Sequence, residues 1–384
     1  MPEVHQLIPG PITCHCWNGD RSRFAISPNN TEVHIYTKKG SKWEVQHVLS
    51  EHGQKVTGMD WAPKSDRLVT CGALVDKCMY LQDRNAYVWT FAGEEWKPSL
   101  VILRINRAAT TVRWSPLGYC KWVSKHIKKP LRSTVLGIDW HPNNYLLAAA
   151  AVTSRPGSTP LNHRVFSGYV KEIEEKPEAT CWGKKMTFGA CMAEFSNGGG
   201  GWVHSVSFSP SGNKLAWVGH DSSVSVANQA ADGQVSTVMH SYLPYLSCLF
   251  LTENSLVAAG YDCCPVLWMH DDAGSLTYIN KLDTAEKKTK GVCEACSSSI
   301  TLFPFHPPFF FSAMDKFKGL DNRANAGGRD VELDSTHQNA ISEILLHTGS
   351  RENVSKFATV GVDGQLVIWD CKSLESSIAG LRFK

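Results

Sequence analysis

Two short motifs in this sequence hold side chains that could do chemistry. Cys293-Glu294-Ala295-Cys296, with His306 downstream, places two thiols at a spacing at which they can share one Zn²⁺ ion. His220-Asp221-Ser222 brings together the imidazole, carboxylate and hydroxyl of a nucleophilic relay. A single Cys pair is a weak metal signal, and adjacent residues at a strand turn point in different directions. We therefore predict no metal site, no cofactor and no catalytic site here.

A third group is a run of cations between residues 104 and 132. A basic patch could bind acidic segments of a partner protein, although solvated loop charge is an equally simple interpretation for any single residue. The predicted partner-binding cations are Arg104, Arg107, Lys125, Lys128, Lys129 and Arg132, and Arg113 lies in the same stretch. The formal net charge of +3 is too small to indicate bulk nucleic-acid binding.

A repeated six-residue sequence motif, called the phrase below, organises the rest of the chain. In Val56-Thr57-Gly58-Met59-Asp60-Trp61 the fourth and sixth residues are apolar, and a period of two is typical of a strand with one buried face. The phrase occurs seven times, which defines units 1 to 7: Ile12 to Trp17, Val56 to Trp61, Ala109 to Trp114, Val135 to Trp140, Val203 to Phe208, Tyr245 to Phe250 and Ile341 to Leu346.

Each complete unit continues with a return run of small apolar residues and a turn. In units 6 and 7 an Asp follows the return run and precedes a Trp by six residues, as in Asp262 to Trp268 and Asp363 to Trp369. Trp17 and Trp61 are 44 residues apart, which matches the ~40–45-residue period of a four-stranded propeller blade. We expect Trp61, Trp89, Trp114, Trp140 and Trp369 to be core residues.

The predicted fold is therefore all-β, a seven-bladed WD-repeat β-propeller formed by residues 1–384 as a single domain. A blade must stack on its neighbours, and the ring must close. The segment from Val4 to Ile8 has the length needed to supply the outer strand of the last blade.

Three stretches depart from the period. Ten residues, 73–82, interrupt unit 2; only 26 residues separate Trp114 from Trp140 in unit 3; and residues 152–162 form a long Ser-, Pro- and Gly-rich stretch in unit 4. Loss of strands exposes unpaired edges, so our hypothesis is that these departures are misjudged splice sites. A transcript that encodes them as written would refute it.

A long insertion, residues 281–337, lies between the last two blades. Such a loop within a compact domain is usually functional or disordered. Residues 314–324 predict a short helix with Met314, Phe317 and Leu320 on one side, although Gly319 weakens it. An exposed apolar helix face would bind a partner groove, and the alternative is a helix folded back on the propeller.

Composition restricts the location of the protein. We interpret the 13 Cys, several in apolar runs such as those of Cys14, Cys71 and Cys248, as reduced core residues of an intracellular protein. The first residues lack a signal peptide, and no apolar run is long enough to span a membrane. We expect a cytoplasmic protein that binds neither membrane nor nucleic acid.

Several long stretches of the sequence resemble the WD-repeat subunit family of the actin-related protein 2/3 complex, which nucleates branched actin filaments. They include Trp96-Lys97-Pro98, Lys125 to Pro130, Asp139 to Asn144, Gly201 to His204 and Ile368-Trp369-Asp370 with Lys372 to Ser376. The resemblance covers almost the whole chain, but not the three departures or residues 293–312.

The resemblance implies a scaffold without chemistry of its own. It implies a propeller that holds subunits 4 and 5 near the second actin-related protein, at the actin-rich cortex. It also implies that the insertion is a projecting arm whose helix, with Met314, Phe317 and Leu320, contacts the side of the mother filament. Nucleation-promoting factors with acidic tails are the partners it implies for the basic patch.

The propeller fold also serves other functions. A propeller hydrolase would need Asp, Glu or His converging on the central channel, where the phrases predict apolar residues, Thr and Ser. A generic WD-repeat adaptor, such as a substrate receptor of a ubiquitin ligase, is the alternative among binding proteins. We predict that the protein is not an enzyme.

Overall fold

The computed structural model describes most of the chain. The described residues are 2–40, 42–72, 85–103, 109–118, 125–127, 134–151, 163–171, 177–184, 186–196, 202–283, 333–377 and 383. Segments 73–84, 119–124 and 152–162, which hold most of the three departures, and 284–332, which holds most of the insertion, lie outside them.

The described residues form six four-stranded antiparallel sheets. Unit 1 contains β2 (Cys14–Trp17), β3 (Arg23–Ser27), β4 (Val33–Lys39) and β5 (Lys42–Leu49). Unit 2 contains β6 (Val56–Trp61), β7 (Arg67–Gly72), β8 (Asn85–Ala92) and β9 (Glu95–Ile102). Unit 4 contains β10 (Val135–Trp140), β11 (Leu146–Ala151), β12 (His163–Ser167) and β13 (Cys191–Phe195).

The remaining sheets belong to units 5, 6 and 7. Unit 5 contains β14 (Val203–Phe208), β15 (Lys214–Gly219), β16 (Ser223–Asn228) and β17 (Gln234–Met239), with a 3₁₀ turn at Gln229–Ala231. Unit 6 contains β18 (Tyr245–Phe250), β19 (Ser255–Gly260), β20 (Val266–His270) and β21 (Leu276–Lys281). Unit 7 contains β22 (Ile341–Ser350), β23 (Asn353–Gly361) and β24 (Gln365–Asp370), followed by helix α1 (Cys371–Ser377).

The predicted ring closure is confirmed, because the strand nearest the start of the chain completes unit 7. β1 (Glu3–Gln6) pairs antiparallel with β24, with Glu3 opposite Ile368 and Gln6 opposite Gln365. The Leu7 amide donates to the Gly364 carbonyl at 3.1 Å. Gly364 has φ +75°, and a Cβ there would lie 2.0 Å from the Ile8 carbonyl oxygen, so only glycine fits this seam.

The core lies between neighbouring sheets, as stacking of blades requires. β15, β16 and β19 are buried along their whole length. Five apolar clusters fill the interfaces between units 1 and 2, 4 and 5, 5 and 6, 6 and 7, and 7 and 1. Of the predicted core tryptophans, Trp61, Trp89 and Trp369 are buried and Trp114 and Trp140 are half-buried.

The turn Asp of the repeat has a structural role in unit 7. The His337 imidazole contacts the Asp363 carboxylate at 3.0 Å and the Thr359 hydroxyl at 2.8 Å, and the Trp369 indole donates to that same hydroxyl at 2.9 Å. Asp363 thus orients a buried chain of polar groups that joins three segments of the blade, because buried polar groups must be satisfied.

Unit 3 differs from the other units. Its phrase, residues 109–114, is described but carries no strand, and only short pieces follow it. The described residues therefore contain six sheets, whereas the sequence predicts seven. No helix among the described residues has both the length and the apolar character required to cross a bilayer.

Candidate interaction surfaces and the central channel

A channel runs through the centre of the ring, and segments from all seven units line it. Its cavity has a volume of about 190 Å³. Unit 3 contributes Thr110, Thr111 and Arg113, even though it forms no strand there. The residues of unit 3 therefore occupy the position of an inner strand between units 2 and 4.

A hydroxyl at the second position of the phrase joins neighbouring units. Thr57 donates to the Ala109 carbonyl at 2.8 Å, and Ser342 donates to the Ile12 carbonyl at 2.7 Å. Thr13 makes a longer contact with the Val56 carbonyl at 3.5 Å, and Thr110 donates to the Val135 carbonyl. These bonds link units 1 to 2, 2 to 3, 3 to 4 and 7 to 1.

Side-chain acceptors further along the inner strands add a second set of links. Each accepts a backbone N–H of the next unit. The bonds are Trp114 N to Asp60 at 2.6 Å, Phe208 N to Asp139 at 2.8 Å, Phe250 N to Ser207 at 3.3 Å, Ile344 N to Ser247 at 3.0 Å and His15 N to Glu343 at 2.8 Å. With the hydroxyl bonds, every one of the seven junctions carries a side-chain hydrogen bond.

Glu343 is the centre of a buried charge network. Its carboxylate binds the Arg113 guanidinium at 2.6 Å and the His15 imidazole at 3.0 Å, and its side chain is only 12% exposed. Arg113 also donates to the Met59 carbonyl at 2.9 Å. Burial alone would raise the pKa of Glu343, but Arg113 and the hydrogen bonds from His15 lower it to about 2. Glu343 therefore stays ionised and ties units 7, 1 and 3 together.

Asp60 has the opposite electrostatic environment. Burial raises its pKa to about 6, although Arg113 and the Trp114 N–H favour the charged form. Two acidic groups close to Arg113 thus have pKa values that are shifted in opposite directions.

A long hairpin, β22 and β23, reaches across the channel where the inner strands end. Near its tip, Arg351 donates to the Asp139 carboxylate and to the Trp140 carbonyl of unit 4. Midway along the hairpin, the Arg21 guanidinium donates to the His347 carbonyl, and the centre of the His347 ring lies 4.4 Å from that of Trp17. The hairpin therefore links unit 7 to unit 4, which is not its neighbour in the ring.

The expected composition of the channel was wrong in part. Thr13, Thr57, Ser205 and Ser247 line it as expected, but so do carboxylates. The lining carboxylates Asp139 and Glu343 are neutralised by guanidinium groups, and Asp60, which lies outside the lining, accepts a backbone N–H. These carboxylates join units of the ring, so they do not form a pair free for general acid and base catalysis.

The predicted basic patch is described at one position. Lys125 is exposed, and its ammonium lies 5.6 Å from the centre of the Phe188 ring. Arg104, Arg107, Lys128, Lys129 and Arg132 lie outside the described residues. Arg113, from the same stretch of sequence, is not on a surface patch, because it lines the channel and binds Glu343.

The structure describes the His220-Asp221-Ser222 motif but not the cysteine motif. Asp221 accepts from the Ser223 amide at 3.1 Å and the Ser223 hydroxyl at 2.6 Å, so its structural role in the turn is confirmed. The His220 ring faces His204 instead. Cys293, Cys296 and His306 lie outside the described residues, in which no three or more His, Cys, Asp or Glu side chains are grouped as metal ligands.

The expectation of reduced core cysteines is confirmed for Cys14, Cys71 and Cys248, which are buried and not joined in disulfides. Cys181 and Cys191 are free and exposed. Burial raises the pKa of Cys248 to about 12, so its thiol is un-ionised and unreactive.

The two ends of the insertion are tied together. The Asp283 carboxylate accepts from the Thr336 hydroxyl at 3.0 Å and also from the Thr336 amide. Gln338 then donates its backbone N–H to Asp363 at 2.7 Å, which connects this clasp to the polar chain of unit 7. Met314, Phe317 and Leu320 of the predicted arm helix lie outside the described residues.

Buried histidines make the stability of the ring sensitive to acid. Burial lowers the pKa of His163 to about 3, and that of His141 and His347 to about 4. An unfolded His has a pKa near 6.5, so the unfolded chain binds more protons as the pH falls through 6.5 toward 4, and stability falls with it. The raised pKa of Asp60 opposes this trend but involves one proton.

We expect the melting temperature to fall by at least about 5 °C between pH 7.5 and pH 5. The centre of the His163 ring lies 3.8 Å from that of Trp217 and 5.4 Å from that of Phe195, so a phenylalanine ring suits this site. Because phenylalanine binds no proton, His163→Phe should remove about 1–2 kcal/mol of the stability that is lost at pH 5. Calorimetry at both pH values measures the effect, with exposed His126→Gln as the control. Equal pH dependence of wild type and His163→Phe would contradict the assignment.

Comparison with known proteins identifies the family to which the chain is similar. A model of the WD domain, G-beta repeat, matches residues 43–90. A protein described as actin-related protein 2/3 complex subunit 1A-B, from Xenopus laevis, is 50% identical over 400 aligned residues that cover 99% of each chain. Subunit 1 from Schizosaccharomyces pombe is 37% identical, covering 96% of this chain and 98% of that protein. Subunit 1B from Arabidopsis thaliana is 34% identical, covering 98% of each.

Proposed function

We propose a role for this chain from the premise that it belongs to the subunit 1 family of the actin-related protein 2/3 complex. The chain is a WD-repeat β-propeller, and the family consists of non-catalytic structural subunits. Its proposed function is to act as a scaffold of that complex and to support nucleation of branched actin filaments. The observation that carries the proposal is similarity along 99% of both chains, which leaves no large region unmatched.

The proposed ring has seven blades. The support is that unit 3 lines the channel like the others and bonds to both neighbours, through Thr57 and Asp60 on one side and Thr110 on the other. An inner segment held in this way supplies the position at which a full blade would start. A rigid closed ring is the property that a scaffold requires, because partners on different blades must keep fixed separations.

The proposed partners are subunits 4 and 5, the second actin-related protein and the actin filament. The cations around Lys125 would attract acidic tails of nucleation-promoting factors, since like-signed charges on a surface steer segments of the opposite sign. The proposed location is the cytoplasm, in the actin-rich cortex.

Residues 281–337 form the proposed arm, with the helix near 314–324 against the side of the mother filament. The support is the clasp between Asp283 and Thr336, which brings both ends of the insertion to one place on the ring. An insertion anchored in this way is an addition to the propeller and not a part of its core.

Copurification tests the proposal. Actin-related proteins and the small subunits should dominate the material bound to the tagged chain. A ubiquitin-ligase adaptor would bring down ligase components instead, and that result would overturn the proposal in favour of the alternative.

Deleting the insertion is expected to leave the ring folded. If a short Gly-Ser linker replaces residues 284–332, the melting temperature should change by less than about 4 °C, because Asp283 and Thr336 already hold the ends together. Calorimetry of the deletion variant beside wild type is the measurement. A lost or much broader unfolding transition would show that the insertion belongs to the core.

A further inference from the structure

Two imidazoles and an indole meet at the start of the inner strand of unit 5. His204 is the extra residue of a β-bulge, because the pairing of β14 with β15 shifts between Val203 and Ser205. The His220 amide donates to the Trp202 carbonyl at 2.8 Å, which fixes the two segments side by side. Trp202 is 52% exposed, so this cluster is open to solvent.

Position by position, His204 stands where other units carry a structural hydroxyl. Thr13, Thr57, Thr110 and Ser342 occupy the second position of their phrases, and each bonds to the next unit. The junction between units 5 and 6 is made by Ser205 and Ser207 instead, which accept from Cys248 and Phe250. The imidazole of His204 is therefore not used to hold the ring together.

The two rings have the geometry of a pair of metal ligands. His204 Nε2 lies 3.1 Å from His220 Nδ1. Two nitrogens that each lie about 2.0–2.1 Å from one ion, at an angle between about 90° and 110°, are about 2.8–3.4 Å apart. A neutral imidazole has one ring nitrogen whose lone pair can bind a metal ion.

We propose that His204 and His220 bind one divalent transition-metal ion, with Zn²⁺ as the representative. Imidazole nitrogens favour such ions over Mg²⁺ and Ca²⁺, which need oxygen ligands. Since the described residues contain no larger group of ligands, water completes the coordination and the site stays open on the side of Trp202. A site with open positions can accept a ligand from a partner.

Calorimetric titration of the tag-free full chain with ZnCl₂ tests the site. Exposed thiols are first blocked with iodoacetamide under native conditions, because Cys181 and Cys191 would compete for zinc. Wild type should bind one more Zn²⁺ than His204→Gln or His220→Gln, or bind it at least tenfold more tightly. MgCl₂ should give no corresponding signal.

Two further variants keep the test decisive. His126→Gln removes another exposed imidazole and should titrate like wild type. His220→Tyr introduces the residue type that unit 6 carries at the same place, Tyr261, so it should fold while losing the site. Equal zinc stoichiometry and affinity in wild type, His204→Gln and His220→Tyr would overturn the proposal, as would equal binding of Mg²⁺.

Discussion

Replacing Glu343 with alanine is expected to lower the free energy of unfolding by about 3 kcal/mol. The carboxylate is the shared partner of Arg113, of the His15 ring and of the His15 amide. Its removal leaves the Arg113 guanidinium, which is 23% exposed, without its anion inside the ring. Breaking a buried pair at one end costs more than the pair itself contributes, because an unbalanced charge remains. Denaturant unfolding at pH 7 measures the loss.

A double-mutant cycle separates the pair from its surroundings. Arg113→Met combined with Glu343→Leu should destabilise by less than the sum of the two single changes, because neither charge is then left alone. Glu352→Ala, an exposed glutamate near the same hairpin, serves as the matched control and should change stability by less than about 0.5 kcal/mol. If Glu343→Ala behaves like Glu352→Ala, the network does not hold the ring.

Replacing both Phe317 and Leu320 with serine is expected to reduce branch formation at least severalfold while the complex still assembles. In the proposed arm helix these side chains lie on one face, and apolar anchors of this kind supply most of the binding energy in helix-in-groove contacts. Pyrene-actin assembly and branch counting with reconstituted complex are the measurements. Gel filtration of the same complex checks assembly.

A matched variant on the opposite side of the predicted helix is available. Asp315→Ser changes a residue about 180° away from the apolar face, so branching should stay near wild type. Unchanged branching in the Phe317→Ser, Leu320→Ser variant would refute the role of the arm. An equal loss in the Asp315→Ser variant would show that the segment matters without the predicted face.

The repeat could be predicted because its signal is periodic and local. The phrase from Val56 to Trp61 coincides with β6, and that from Val203 to Phe208 coincides with β14. Closure by the segment after Val4 was also predictable, since a ring of repeats must pair its two ends. The first prediction rests on residues close together in the sequence, and the second on the requirement that a ring of repeats must close.

The chemistry of the channel could not be predicted in this way. Asp139 and Arg351 are 212 residues apart, and nothing near either residue identifies the other as its partner. Arg113 stood in a run of cations, so its neighbours indicated a surface patch and not the interior. Which side chains meet inside a ring depends on how many units separate them, which local patterns do not encode.

The long hairpin of unit 7 left a partial signal. Ten residues lie between Leu346 and Phe357, whereas six lie between Trp61 and Leu68 in unit 2, a difference that could have indicated a longer hairpin. The direction in which the hairpin points could not be predicted, because strand length does not determine how a hairpin is inclined to its sheet.

The pairing of β1 with β24 also determines when the ring can close during synthesis. The ribosome makes residues 3–6 long before residues 365–368, so the seam stays open until more than 350 further residues have been added. Until then the growing chain presents an unpaired strand edge on which other chains could add. Chaperones that shield such an edge during translation would thus act on the chain from the synthesis of β1 until that of β24.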